Sequence, residues 1–86
     1  EEPIVIIEQF IMRVKVDDAA FYRRLLQMNR ELVHGAFVLD DTGELLLFRD
    51  TLQLANLDFN ELEGSINSLS LAMSEYGSEL LDHVAA

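Results

Sequence analysis

Residues 25–66, LLQMNRELVHGAFVLDDTGELLLFRDTLQLANLDFNELEGSI, constrain the fold more than any other part of the chain. A helix runs out in a polar segment. A tight acidic turn then joins two apolar runs, and a short link leads into a second, capped helix. That order predicts an α+β domain.

Each part of the stretch has a local cause. Asp17 and Asp18 can cap a helix N-terminus. Phe21, Leu25, Met28 and Leu32 follow at spacings of four, three and four, one apolar helical stripe. Gly35 is placed to end that helix in the left-handed conformation, with His34 in its last turn. A histidine there reads as a cap cation beside the helix dipole, and His83 near the end of the last helix reads the same way. Residues 36–39 and 44–48 read as strands joined by Asp40-Asp41-Thr42-Gly43, whose residues supply positive φ and local hydrogen bonds. A calcium loop spreads its oxygen ligands over about twelve residues, and this turn lacks that spacing. The strand Leu45-Leu46-Leu47-Phe48 is apolar on both faces, which predicts a central strand covered on both sides.

The flanks complete the pattern. Ile4 to Ile7 is a β-branched run. Phe10, Met12, Val14 and Val16 then alternate with Ile11, Arg13 and Lys15, predicting a half-buried strand over 4–16 with the latter set facing outward. The phase slips near Glu8 and Gln9, where a bulge or a break into two strands is expected. Near the other end, Asp58 and Glu61 have capping-box spacing after Asn56-Leu57. Phe59, Leu62, Ile66, Leu69, Met73, Tyr76 and Leu80 then recur at threes and fours, a predicted core stripe. Gly77 weakens the late part of this helix. Its opposite face carries Asn67, Leu71, Ser74 and Ser78, without charge at its centre. That face is either a solvated serine surface or a self-association or partner face, since small residues let another backbone approach closely.

Composition narrows the function. Eighty-six residues suit one domain, spanning 1–86. A chain of that size buries roughly 60–65% of its unfolded surface, so it gains from oligomerisation. Half of the residues are hydrophobic, high for so short a chain, which points to apolar surface that meets another chain, as in a homodimer, or a missing segment. Net charge is −10, and all six basic residues lie before position 50, while positions 50–86 hold seven acids and no base. That half repels phosphate backbones and anionic membranes and suits a basic or amphipathic protein partner. There is no cysteine, which removes disulfides and thiolate chemistry and fits a reducing, cytoplasmic setting. No apolar run exceeds four residues, so none could span a membrane. The first residue is Glu1, which reads as a trimmed or excised fragment. No phosphate loop, nucleophile elbow, metal-spaced histidine pair or serine–histidine arrangement is visible. The expectation is no catalytic residue, no cofactor site and no metal site.

Leu25-Leu26-Gln27-Met28-Asn29, Val33-His34-Gly35-Ala36-Phe37, Asp50-Thr51-Leu52-Gln53-Leu54 and Asn56-Leu57-Asp58 resemble bacterial YbjN-type domains. These group with the CesT-like, or Tir chaperone-like, fold of type III secretion chaperones. The resemblance spans about residues 4 to 84. It implies a twisted antiparallel sheet flanked by helices, a dimer, and a small acidic cytoplasmic protein that holds a partner segment extended along its surface. It also implies a helix and strands ahead of residue 4, which this sequence does not contain.

The expected architecture is therefore β-α-β-β-α, an antiparallel twisted sheet packed by two helices. Whether the first strand and the strand after the first helix are parallel or antiparallel neighbours stays open. The expected function is non-enzymatic polypeptide binding by a homodimer. Ile11, Arg13 and Lys15 on the outward strand face, with Leu45 and Leu47 on the hairpin, are the candidate partner contacts. Asn67, Leu71, Ser74 and Ser78 are the candidate dimer contacts. The alternatives are a structural or regulatory oligomerisation domain without a client and, more distantly, an accessory enzyme subunit.

Overall fold

The computed structural model describes residues 3–15, 17–53 and 58–85, the side chains of Glu61, Val84 and Ala85 aside. Five elements follow one another: β1 (Ile4–Arg13), α1 (Ala19–Glu31), β2 (Ala36–Leu39), β3 (Leu45–Gln53) and α2 (Phe59–Ala85). The sheet order is β1-β3-β2, and both pairings are antiparallel. β1 and β2 thus run parallel but are not neighbours. The crossover through α1 leaves one strand position open, and the hairpin return fills it with β3.

α1 begins where Asp18 Oδ1 accepts a hydrogen bond from the Phe21 N–H at 3.1 Å, as its sequence position predicts. Asp17 sits just outside at φ 64°, and its N–H donates to the Tyr22 hydroxyl. The expected stripe is buried at Phe21, Leu25 and Met28. The helix ends earlier than expected. Leu32 turns extended, with its N–H on Asn29 O, so His34 lies in the exposed loop beyond, and Arg30 is the base of the last turn. Gly35 does adopt the left-handed conformation (φ +73°), but as the entry to β2. It is doubly required there, because a Cβ would also collide with the Phe48 ring.

The hairpin forms as read. Asp40 O accepts from the Gly43 N–H, and Asp40 Oδ1 accepts from the N–H groups of Glu44 and Leu45. β3 runs further than the expected 44–48 and takes in Asp50 to Gln53, which the sequence suggested as a link. The ten-residue β1 supplies a pairing partner along that whole length.

The bulge in β1 lies at Ile11 rather than near Glu8 and Gln9. Phe10 pairs with Leu47 and Met12 with Leu46, so Ile11 is the extra residue. The consequence is a change of face. Ile11 packs against the core beside Met12 instead of facing outward. Phe10, expected inside, is 61% exposed on the opposite face. Val14 is buried as expected, and Val16 lies outside the described residues.

Both helices cover one face of the sheet. Phe37, Leu46 and Phe48 meet Phe21, Leu25 and Met28 from α1 and Ala72, Tyr76 and Leu80 from α2. The predicted α2 stripe is only half a core stripe. Tyr76 and Leu80 are buried, and Leu69 and Met73 pack at the margin. Phe59 and Leu62 are exposed, and Ile66 is 60% exposed. Ser65 is buried in that first half instead, because its hydroxyl donates to Asp50 Oδ2 at 2.7 Å. Gly77 does not interrupt α2. Asp58 O accepts from the Leu62 N–H at the helix start. The Glu61 arm of the expected capping box, with Asn56 and Leu57, lies outside what is described.

Candidate functional site

Pairing across an antiparallel ladder puts partnered residues on the same face. The helix-free face therefore carries Ile4, Ile6, Glu8 and Phe10 from β1, Leu45, Leu47 and Arg49 from β3, and Val38 from β2. Phe10 lies opposite Leu47, and Val38 lies opposite Leu47 on the other side. Together they make an apolar band across all three strands. Ile4, Ile6 and Phe10 are exposed, while Leu45, Leu47 and Val38 are half-buried. Among the described residues no helix covers this face. Of the two-sided cover expected for Leu45–Phe48, the described residues supply one side: the helices bury Leu46 and Phe48, while the face of Leu45 and Leu47 has no element over it.

Charge edges the band. Arg13 lies opposite Leu45 and forms an exposed ion pair with Glu44 at 3.5 Å. Glu8 lies opposite Arg49. Lys15 is exposed beyond the strand end, and its carbonyl accepts from the Tyr22 hydroxyl. Of the five sequence candidates, Arg13, Leu45 and Leu47 come together on this face. Lys15 lies past its end, and Ile11 turns to the other side. The residues missed are Ile4, Ile6, Phe10 and Val38. The even-numbered apolar positions from Ile4 to Phe10 hold the signal, and the bulge at Ile11 breaks its phase.

Asn67, Leu71, Ser74 and Ser78 all lie exposed along one side of α2. Leu71 is 71% exposed. Leu71 and Ser74 form part of a groove of about 510 Å3 between α2 and the loop after α1, to which Glu31, Val33 and Glu75 also contribute. A second groove, about 360 Å3, lies between α1 and β2, with Tyr22, Leu26, Asn29 and Leu39 in its wall and no charged residue. Leu26 is 71% exposed there.

Arg24 makes a two-pronged ion pair with Glu79, at 2.7 and 3.1 Å, tying α1 to α2. That hydrogen bonding holds the Glu79 carboxyl below its ordinary value and the guanidinium above its own. Burial raises the Tyr76 hydroxyl, and the nearby carboxylates of Glu75 and Glu31 raise it further. His83 stacks on Phe21 at 3.7 Å and sets Nδ1 3.4 Å from Asp18 Oδ2, so it joins the two helices rather than facing a cavity. His34, Asp50 and Ser65 line one small cavity, but the Ser65 hydroxyl is committed to the Asp50 carboxylate. Among the described residues no group of three or more His, Asp or Glu side chains could hold a metal ion. No described helix is long and apolar enough to cross a membrane.

Neither the curated proteins nor the solved structures contain a match to this chain. The family model CesT_Tir_1 matches residues 1–86. A three-stranded antiparallel sheet with two helices agrees with the chaperone fold that this match brings. On both grounds the chain belongs to the CesT_Tir_1 family, a type III secretion chaperone-like family.

Proposed function

We propose that this chain is a non-enzymatic, cytoplasmic, chaperone-like domain that binds extended polypeptide on the helix-free face of its sheet and acts as a homodimer. The observation that carries the reading is the apolar band of Ile6, Phe10, Leu45, Leu47 and Val38, uncovered by any described helix. A flat apolar strip edged by Arg13, Glu44 and Lys15 suits a chain that contributes alternate side chains along its length. The edge of β1 lies alongside, where backbone pairing can add to side-chain contact.

The dimer reading rests on the groove between α1 and β2. A two-fold contact places a patch against its own copy, so an uncharged apolar surface suits it best. Leu26, Tyr22 and Leu39 offer one. Asn67 and Ser78 on α2 are a poorer choice, because Glu75 on the same helix side would face its own copy.

Binding to an array of extended peptides tests the first half. Wild-type protein should retain apolar peptides, and Phe10→Asp should weaken them at least about tenfold with an unchanged melting temperature. Sedimentation at micromolar concentration tests the second. The expected mass is about twice that of the chain, falling to one chain in Leu26→Asp. A dimer whose Phe10→Asp variant binds peptides as well as wild type would favour an oligomerisation domain without a client.

A further inference from the structure

The groove between α2 and the loop after α1 differs from the sheet face in shape and in charge. Its floor is Ala72, which is buried, and its lining mixes the apolar Leu32, Val33 and Leu71 with Ser68, Ser74 and His34. Val33 is 89% exposed and Leu71 71% exposed, and both line it. A valine and a leucine held this open on facing walls are costly to leave hydrated. The rim is acidic. Glu31 and Glu75 are exposed at the groove, and neither has an ion-pair partner among the described residues. Both line the same groove, Glu31 from the end of α1 and Glu75 from α2. No Lys or Arg lines the groove, and His34 is the one basic residue in its lining. α2 contributes acids and no Lys or Arg along its whole length.

We infer that this groove is a second docking site, and that its occupant is a basic amphipathic segment of a polypeptide. An apolar side chain of the segment seats between Val33 and Leu71, and flanking Lys or Arg side chains meet Glu31 and Glu75. Charge decides the occupant. A second copy placed here by a two-fold axis would bring a second acidic rim against this one, whereas a basic segment neutralises Glu31 and Glu75. The inference extends the polypeptide-binding reading to a separate surface and survives or fails independently of the sheet face.

The test uses two fluorescein-labelled synthetic helical peptides sharing one leucine face, one flanked by lysines and the other by glutamates. Wild-type protein should bind the lysine peptide, less tightly as salt rises, and should not bind the glutamate peptide. Glu75→Lys and Leu71→Ser, both exposed sites, should each weaken the lysine peptide at least about tenfold while melting like wild type. Phe10→Asp should bind it unchanged, which separates this groove from the sheet face. NMR shifts induced by the lysine peptide should centre on Val33 and Leu71. Equal binding by Glu75→Lys, shifts centred on Phe10 and Leu47, or no binding of the lysine peptide would overturn the inference. So would a dimer that Leu71→Ser dissolves, since the occupant would then be a second copy.

Discussion

Asn29 joins α1 to β2 with one side chain. Its amide donates to Phe37 O at 3.0 Å and accepts from the Phe37 N–H at 2.7 Å, so it takes the place of a strand neighbour at this sheet edge. Asn29→Ala strands both backbone groups in a part-buried site and should cost about 1–3 kcal/mol by chemical denaturation. Asn29→Asp keeps the acceptor and loses the donor, so its loss should be smaller. Gly35→Ala meets two penalties, an unfavourable φ of +73° and the Phe48 ring. Together they should cost about 2–4 kcal/mol, and a variant melting like wild type would mean that the loop can re-route. Asp40 carries the pH dependence of the hairpin. The Leu45 N–H, then Thr42 and the Glu44 and Gly43 N–H groups, hold its carboxyl below the ordinary 3.8. A carboxyl lowered on folding stabilises fully above its unfolded value, and that contribution disappears as pH falls through the folded one. Titrated from about pH 5 to about pH 2, wild type should therefore lose more stability than Asp40→Asn.

At the scale of elements, α2 divides into a half that packs and a half that does not. From Leu69 onward it closes the core through Ala72, Tyr76 and Leu80. Before that, Ser65 is the contact, and Phe59, Leu62 and Ile66 stand in solvent. Leu80→Ala should cost about 2–5 kcal/mol by loss of buried surface and the cavity left behind. Ile66→Ser should change stability by less than about 0.5 kcal/mol, and a larger loss would place Ile66 in a packed interface. Gly77 lies within the helix, where an added methyl would sit 3.6 Å from Met73 Cε, an ordinary contact. Gly77→Ala should then raise stability by about 0.5–1 kcal/mol. A lower melting temperature would show that α2 needs its freedom at that point. β1 is governed by its bulge, which gives Ile11 and Met12 to the core and Phe10 to the outer face.

For the whole molecule, charge and exposed apolar surface act together. A net charge of −10 on 86 residues makes the compact state self-repelling. The ion pairs within it are partly exposed and add little. Raising salt from a few millimolar to about 0.15 M, where the screening length falls to about 8 Å, should therefore raise the melting temperature. A fall would mean that Arg24–Glu79 and its like outweigh the repulsion. The three open surfaces differ in chemistry. The sheet face is a flat apolar band, the α1–β2 groove is uncharged, and the α2 groove is acid-rimmed. Each suits a different neighbour, so the proposed self-pairing and the proposed polypeptide binding would use separate surfaces.

What the sequence determined by itself was everything whose cause lies within a few residues. Asp18 caps α1, Phe21, Leu25 and Met28 line it, and Asp40 to Gly43 turn the hairpin, because capping, helical period and turn chemistry act over one or two turns of chain. The resemblance to CesT-like chaperones was legible for a related reason, since its motifs sit at these same junctions. The tertiary structure decided what depends on a partner far along the chain. Ile11 became the bulge because β3 pairs with β1 on either side of it, and that single extra residue moved Phe10 into the candidate site and Ile11 out of it. Phe59, Leu62 and Ile66 keep perfect helical spacing, yet the core meets α2 mainly from Leu69 onward, and Asp50 claims Ser65 for the interior. Periodicity records which residues share a face, whereas burial requires another element to lie against that face.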